Sequence, residues 1–394
     1  VAINEYYIDA GGGSDSSGNG SAGNPWATLY YAFANSTHGT SGVKFWLYGT
    51  DALTSGLPTS RTASGNIGDS SEQTPIRLQG WDKLGAGTAY PGIIDGSALS
   101  VTVHLILAGT HQHSVEMQDI ELINSRVYTG RSALIANCYL HATSANRYGG
   151  FYLDSESVVT GCQVDVSRVQ SSIYSGIITN CLFKDTYLSS TYNATQSTVY
   201  ARGSIVHRNI FAMTGNQIAI AADHGVVSNN SILCTDGTAT NPAVRCGYYE
   251  STSSYLRHPP AIINNIVEGY GTQKAFELTN GNNVLLFAGN AAYNNGTDYE
   301  LDADLGYPDY RPAVIAVEVD NESLSGSPFA KSGSLTFDNR FTYFNPNNVG
   351  NVLAGAYNGG GRLSKGAVQT SPVSVTGGGS DMLTNPGMAG GMRG

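Results

Sequence analysis

The sequence predicts an all-β chain folded as a right-handed parallel β-helix, with a short N-terminal capping helix and an irregular C-terminal closing region. Three observations predict it. Short β-rich runs recur at 115–122, 134–140, 158–164, 177–183, 205–211, 226–233, 262–267 and 284–293. Most hold a polar turn residue in the same place, in a column that reads Asp119, Asn137, Gly161, Asn180, Asn209, Asn230, Asn265 and Asn290. The residue after it forms a second column: Ile120, Cys138, Cys162, Cys181, Ile210, Ser231, Ile266 and Ala291.

A strand, a tight turn and another strand make one corner of a coil. Stacking coils sets equivalent corners about 4.8 Å apart. Asn and Gly tolerate the left-handed backbone of such a corner. The Asn amide both donates and accepts, so stacked side chains form a ladder along it. Asn137, Asn180, Asn209, Asn230, Asn265 and Asn290 are the expected ladder. The next residue points inward, where Cys138, Cys162 and Cys181 serve as small, inert hydrophobes. Cys234 and Cys246, farther on and separated by a loop, are close enough in sequence to pair. Column members stand 18 to 35 residues apart, so loops of varying length leave the coils.

Composition excludes other classes. Only 13% of the 394 residues are charged, against roughly 25% in an average soluble protein, which is too few for a coiled coil or helical bundle. Glycine is abundant, 49 residues, but without a period of three, so collagen is excluded. A net charge of -10 and the absence of any Lys/Arg block argue against nucleic-acid binding. No apolar run reaches the ~18–20 residues that span a membrane as a helix. The opening Val1-Ala2-Ile3-Asn4-Glu5 has no basic-then-apolar pattern, so no signal peptide is expected; a removed initiator Met or an already cleaved signal both fit. Five cysteines, an odd and dispersed set, lean toward a reducing compartment of assembly.

In chain order, residues 1–40 are expected to form the entry strand and cap, with a helix over 27–34 whose Leu29, Ala32 and Phe33 face the first coil. Residues 41–295 form the coils, and 296–372 close the solenoid, with Pro308 and Pro312 interrupting regular structure. Residues 373–394 are a Gly/Met-rich tail, disordered in isolation and expected to be held by a neighbouring subunit.

Several segments resemble the pectin-lyase-like β-helix superfamily. Tyr7-Ile8-Asp9-Ala10, Gly13-Ser14-Asp15 and Asn24-Pro25-Trp26-Ala27-Thr28-Leu29 are similar to its entry segment, where Pro-Trp-x-Thr opens a capping helix. Pro75-Ile76-Arg77-Leu78-Gln79-Gly80-Trp81 with Ile93-Ile94-Asp95-Gly96 is similar to an early coil. Gly326-Ser327-Pro328 and Lys365-Gly366-Ala367-Val368-Gln369 are similar to the closing segment. The resemblance implies the fold. It leaves function open, because the superfamily holds lyases, hydrolases, epimerases, phage tailspikes and structural proteins.

The candidates for chemistry are charged residues on one face of the coils. Arg202, Arg208, Asp223 and His224 fall on neighbouring coils. Asp223-His224-Gly225 resembles the Gly-His-Gly of polygalacturonases, although the Asn-Thr-Asp and Asp-Asp partner signatures are absent. The plain alternative is a solvated turn with a surface ion pair. Lys184-Asp185, just past a corner, suits a lyase base with an acidic partner, or an exposed loop start. Asp298, Glu300, Asp302 and Asp304 alternate, so an extended segment puts all four carboxylates on one side, as a Ca²⁺ site or a solvated connector. His111 and His113 also share one face of an extended segment, without a third ligand of suitable spacing. No other cofactor is expected.

The reading that needs least is a structural surface protein of a virion: a decoration, fibre or tailspike-like β-helix. It would be a homotrimer that meets other virion proteins and contacts a surface polysaccharide through outward tyrosines such as Tyr6-Tyr7, Tyr30-Tyr31 and Tyr248-Tyr249. This reading leans away from an enzyme. The alternative is a secreted polysaccharide lyase or glycoside hydrolase acting on an acidic polysaccharide.

Overall fold

The structure, a computed structural model, describes residues 3–37, 42–54, 75–98, 103–106, 115–128, 132–141, 149–153, 156–165, 167–171, 176–184, 197–213, 218–234, 239–246, 260–279, 284–303, 315–319 and 321–325. Every strand pairing among them is parallel, and successive pairings follow the coils of a right-handed solenoid. The strands of the coils lie on three faces. Face one runs from Asn4–Asp9 to Ile315–Val319. Face two, after the tight corner, runs from the second half of Val43–Ala52 to Glu322–Ser323. Face three runs from Val103–Ile106 to Thr297–Ala303.

Stacking puts like on like. Along face one, Phe45, Leu78, Met117, Ile135, Val159, Ile178, Val206, Val227, Ile262 and Phe287 stand in register and are all buried. Along face two the inward column is Ile94, Leu122, Leu140, Val164, Phe183, Phe211, Ile232, Val267 and Ala292. The Phe183 and Phe211 rings stack 4.7 Å apart, the spacing of adjacent strands. Each such side chain contributes roughly 1.5–3 kcal/mol of transfer free energy, repeated at every rung.

The cap forms as local chemistry dictates. The helix spans Leu29–Asn35 and starts later than the sequence suggests, because the Thr28 hydroxyl accepts the Tyr31 N–H as N-cap. Asp15 accepts the Thr28 hydroxyl and amide, and Asp51 accepts the Leu29 amide at 2.6 Å. Leu29, Ala32 and Phe33 are buried, and Phe33 packs on Phe45 with ring centroids 4.7 Å apart.

Two boundaries differ from the sequence reading. Asn4–Asp9 already pairs with Val43–Ala52, so the entry strand is the first rung of the coils. The coils also continue past 295: Thr297–Ala303, Ile315–Val319 and Glu322–Ser323 extend faces three, one and two in register. The tail 373–394 lies outside the described residues.

The corner columns are corrected by one residue in the second half of the chain. The left-handed residue between faces one and two is Asp119, Asn137, Gly161, Asn180, Arg208, Asn229, Asn264 and Gly289 on successive coils. Asn137 and Asn180 therefore belong to the bend. The inward ladder column that follows it is Cys138, Cys162, Cys181, Asn209, Asn230, Asn265, Asn290 and Asn321. Asn209 Nδ2 donates to Ile178 O on the preceding coil and to Asn230 Oδ1 on the next. Asn230, Asn265 and Asn290 repeat the pattern, and each Oδ1 also accepts the backbone N–H of the residue one rung before. The cysteines occupy the same slot: the Cys138, Cys162 and Cys181 thiols donate to Met117 O, Ile135 O and Val159 O. Cys181 N–H donates to Asn209 Oδ1, which joins the two halves of the column. All five cysteines are buried free thiols, Cys234 and Cys246 included.

Candidate functional site

Because Leu122, Leu140, Val164 and Phe183 point inward on face two, the residues beside them point away from the core. Two outward columns result. One reads Glu121, Tyr139, Gln163; the other reads His141, Asp165, Lys184, on three successive rungs about 4.8 Å apart. In every case these are the second and fourth residues after the left-handed corner.

These side chains form one polar cluster. His141 Nε2 lies 2.9 Å from Glu121 Oε1, and both side chains keep 20% of their surface exposed. The His141 ring stacks on Tyr139, with centroids 4.5 Å apart and planes 14° from parallel. Tyr139 donates its hydroxyl to Asp165 Oδ2 at 3.0 Å, and Gln163 Nε2 donates to the same oxygen at 3.2 Å. Tyr90 packs against the other side of the group, 5.9 Å from Tyr139. Asp165 Oδ1 and Gln163 Oε1 are buried and have no hydrogen-bond partner among the described residues. A native structure holds few such atoms, and each calls for an explanation.

Burial raises the Asp165 carboxyl above the ordinary carboxylate range, against the lowering pull of the Tyr139 hydrogen bond, the Lys184 charge and the Gln163 amide. Burial likewise pushes the Tyr139 and Tyr90 phenols well up, so both stay protonated donors. The arrangement therefore offers a buried acid, an imidazole oriented by a carboxylate, and an ammonium, in line along one face.

Of the residues singled out from the sequence, Lys184 belongs to this cluster. Its carboxylate neighbour is Asp165 on the preceding rung; Asp185 lies outside the described residues. Arg202 and His224 are register partners in the strands Ser197–His207 and Ile218–Ser228, beside an irregularity in the pairing, and Asp223 precedes His224 in its strand. Arg208 is set apart from them, at the corner between faces one and two. Asp298 and Glu300 lie on one side of Thr297–Ala303, opposite Tyr299, which packs on Phe276. Asp298 accepts the Asn295 amide at 3.0 Å, and Glu300 pairs with Lys274 at 3.0 Å. Lys274 and Arg245 also both pair with the buried Glu277. Asp302 sits in the same strand; Asp304, His111 and His113 lie outside the described residues. Among the described residues no three His, Cys, Asp or Glu side chains converge as a metal site.

Sequence reasoning missed Glu121, Tyr139, His141, Gln163 and Asp165. The signal was present at fixed offsets from the corner, but it becomes readable only when coils are compared position by position.

No family model matches this chain, and no curated protein does. Among solved structures it is similar to a rhamnogalacturonan lyase, at 14% identity over 85% of this chain and 89% of that chain, with a TM-score of 0.44.

Proposed function

We propose that this chain cleaves an acidic polysaccharide by β-elimination at the face-two cluster, the enzymatic alternative of the two sequence readings. The observation that supports it is the row His141, Asp165, Lys184 on consecutive rungs, with the Asp165 carboxyl raised above its ordinary value by burial. Lys184 holds the carboxylate of a uronate. His141, oriented by Glu121, takes the proton from the carbon next to that carboxylate. Asp165 gives its proton to the bridging oxygen, the carbon–oxygen bond breaks, and a carbon–carbon double bond forms in the sugar. Tyr139 and Gln163 hold Asp165 in place through Oδ2, and Oδ1 has no hydrogen-bond partner among the described residues. Aligned acid and base groups of this kind contribute typically ~10²–10⁴-fold each.

The virion setting, the trimer and the surface location expected from the sequence rest on the tail 373–394 and on composition. They do not bear on this site.

The test is incubation of the purified chain with a panel of uronate-containing polysaccharides, following both the unsaturated-uronate absorbance and new reducing ends. Both signals rising together are expected. Reducing ends without the chromophore would replace elimination by hydrolysis, and neither signal on any polymer would overturn the proposal.

A further inference from the structure

We propose that Arg208 is a binding residue for an oxyanion, carboxylate or sulfate, carried by a glycan lying across the corner between faces one and two. That the oxyanion is carried by a glycan rests on the reading of the chain as polysaccharide-active.

The first observation is conformational. Arg208 has φ 56°, in the left-handed region. The seven other residues of this column are Asp119, Asn137, Gly161, Asn180, Asn229, Asn264 and Gly289. Asn, Asp and Gly enter that region at little cost, whereas a long side chain pays for it through its Cβ. Arginine is thus the worst residue of the eight for the bend, and strain of this kind concentrates at functional sites.

The second observation is independent of the backbone. Arg208 is half-buried, and its Nε is fully buried with no hydrogen-bond partner among the described residues. Of the other arginines with described side chains, Arg77 also has a buried Nε without a hydrogen bond, but that atom lies 2.8 Å from Glu116 Oε2, and Arg245 pairs with Glu277. A buried guanidinium donor without an acceptor is destabilising, and an incoming oxyanion supplies the acceptor, in the paired geometry that guanidinium favours.

The third observation is what surrounds it. His207, the preceding residue, lies between Thr179 and Ser228 in register, and its Nδ1 is 2.9 Å from Ser228 Oγ. Burial, then the Arg208 charge, lowers the His207 pKa, so the imidazole stays neutral beside the cation. Hydroxyls and a neutral imidazole next to a guanidinium whose Nε has no partner among the described residues suit a sugar ring bearing one acidic group.

The experiment compares wild type, Arg208→Asn, Arg208→Lys and Asp165→Asn in the full chain. Binding to polygalacturonate, to its methyl-esterified form and to a sulfated galactan is measured by affinity electrophoresis, alongside the thermal midpoint. Arg208→Asn is expected to weaken binding of an anionic polymer roughly tenfold or more, to leave the esterified polymer unaffected, and to raise the midpoint by about 1–3 °C. Arg208→Lys keeps the backbone strain and should give no thermal gain. The anionic polymer that loses affinity identifies the oxyanion. Unchanged anion binding in Arg208→Asn, a lowered midpoint, or a wild type that binds neither anionic polymer overturns the proposal. Asp165→Asn separates the two proposals: loss of cleavage with retained binding upholds the elimination site whatever Arg208 does.

Discussion

Gly161 shows how narrowly one position is specified. Its φ is +64°, and a Cβ placed there would lie 2.5 Å from Asn137 Oδ1 on the preceding coil. Gly161→Ala is therefore expected to destabilise the chain by about 1–3 kcal/mol, through the backbone and the clash together; urea denaturation at constant m-value measures it. Asp165 carries the opposite sign. Its folded pKa is raised, so the folded chain holds the proton more tightly than the unfolded chain does. Stability from this group is present at low pH and falls as pH rises from the unfolded value of about 3.9 through the folded one. Asp165→Asn removes that loss. Its thermal midpoint should exceed the wild type's at neutral pH, with the gap shrinking as pH is lowered through the carboxylate range. A gap independent of pH would contradict the assignment.

At the scale of the element, the corner column behaves as one hydrogen-bonded wire whose slots take either a thiol or an amide. Both donate to the carbonyl of the coil before, and both accept the backbone N–H of the column residue before: Cys138 N–H reaches Cys162 Sγ at 3.5 Å, as Asn209 N–H reaches Asn230 Oδ1 at 3.0 Å. Burial pushes the Cys138 and Cys181 thiols up, which keeps them protonated donors. Asn230→Ala should cost about 2–4 kcal/mol, because it removes the side-chain acceptor of the Asn209 N–H, the Nδ2 donor to Val206 O and one of the two acceptors of Asn209 Nδ2. Cys162→Asn, which preserves the donor and the acceptor, should cost under about 1 kcal/mol. Thermal denaturation of the pair tests whether the slot reads chemistry or only size.

This column also shows what the sequence makes legible. The period, the strand pairs, the cap and the inward thiols follow from patterns local to each coil. The register in the second half does not, because Asn229-Asn230 and Asn264-Asn265 put the same residue type at the bend and in the ladder. Arg208 hides the bend further, since no propensity assigns arginine to a left-handed turn. A one-residue slip exchanges inward and outward positions on those later coils; the outward row of face two lies on the earlier coils, which were in register, and stayed hidden because its members are a coil apart in sequence. Lys184 was found because it stands beside Asp185 in sequence. Asp165, its neighbour in space, is a full coil away.

The whole molecule follows from stacking. A three-faced solenoid needs no sheet edge except at its ends, and the helix Leu29–Asn35 covers the first rung with Leu29 and Phe33. Rung spacing then does for the site what loop closure does in other folds. It fixes His141, Asp165 and Lys184 in a straight row about 10 Å long, through backbone pairing that extends on both sides. A rigid row along the solenoid axis suits an extended polymer.

The most direct measurement of that claim is the time course of unsaturated-uronate release from an acidic polysaccharide by wild type and by Asp165→Asn, side by side, with circular dichroism to verify the fold of both. The proposed elimination predicts steady release by the wild type and a loss of about 10²-fold or more in a folded variant. Equal rates in the two proteins, or no release by a folded wild type, would contradict a catalytic role for face two.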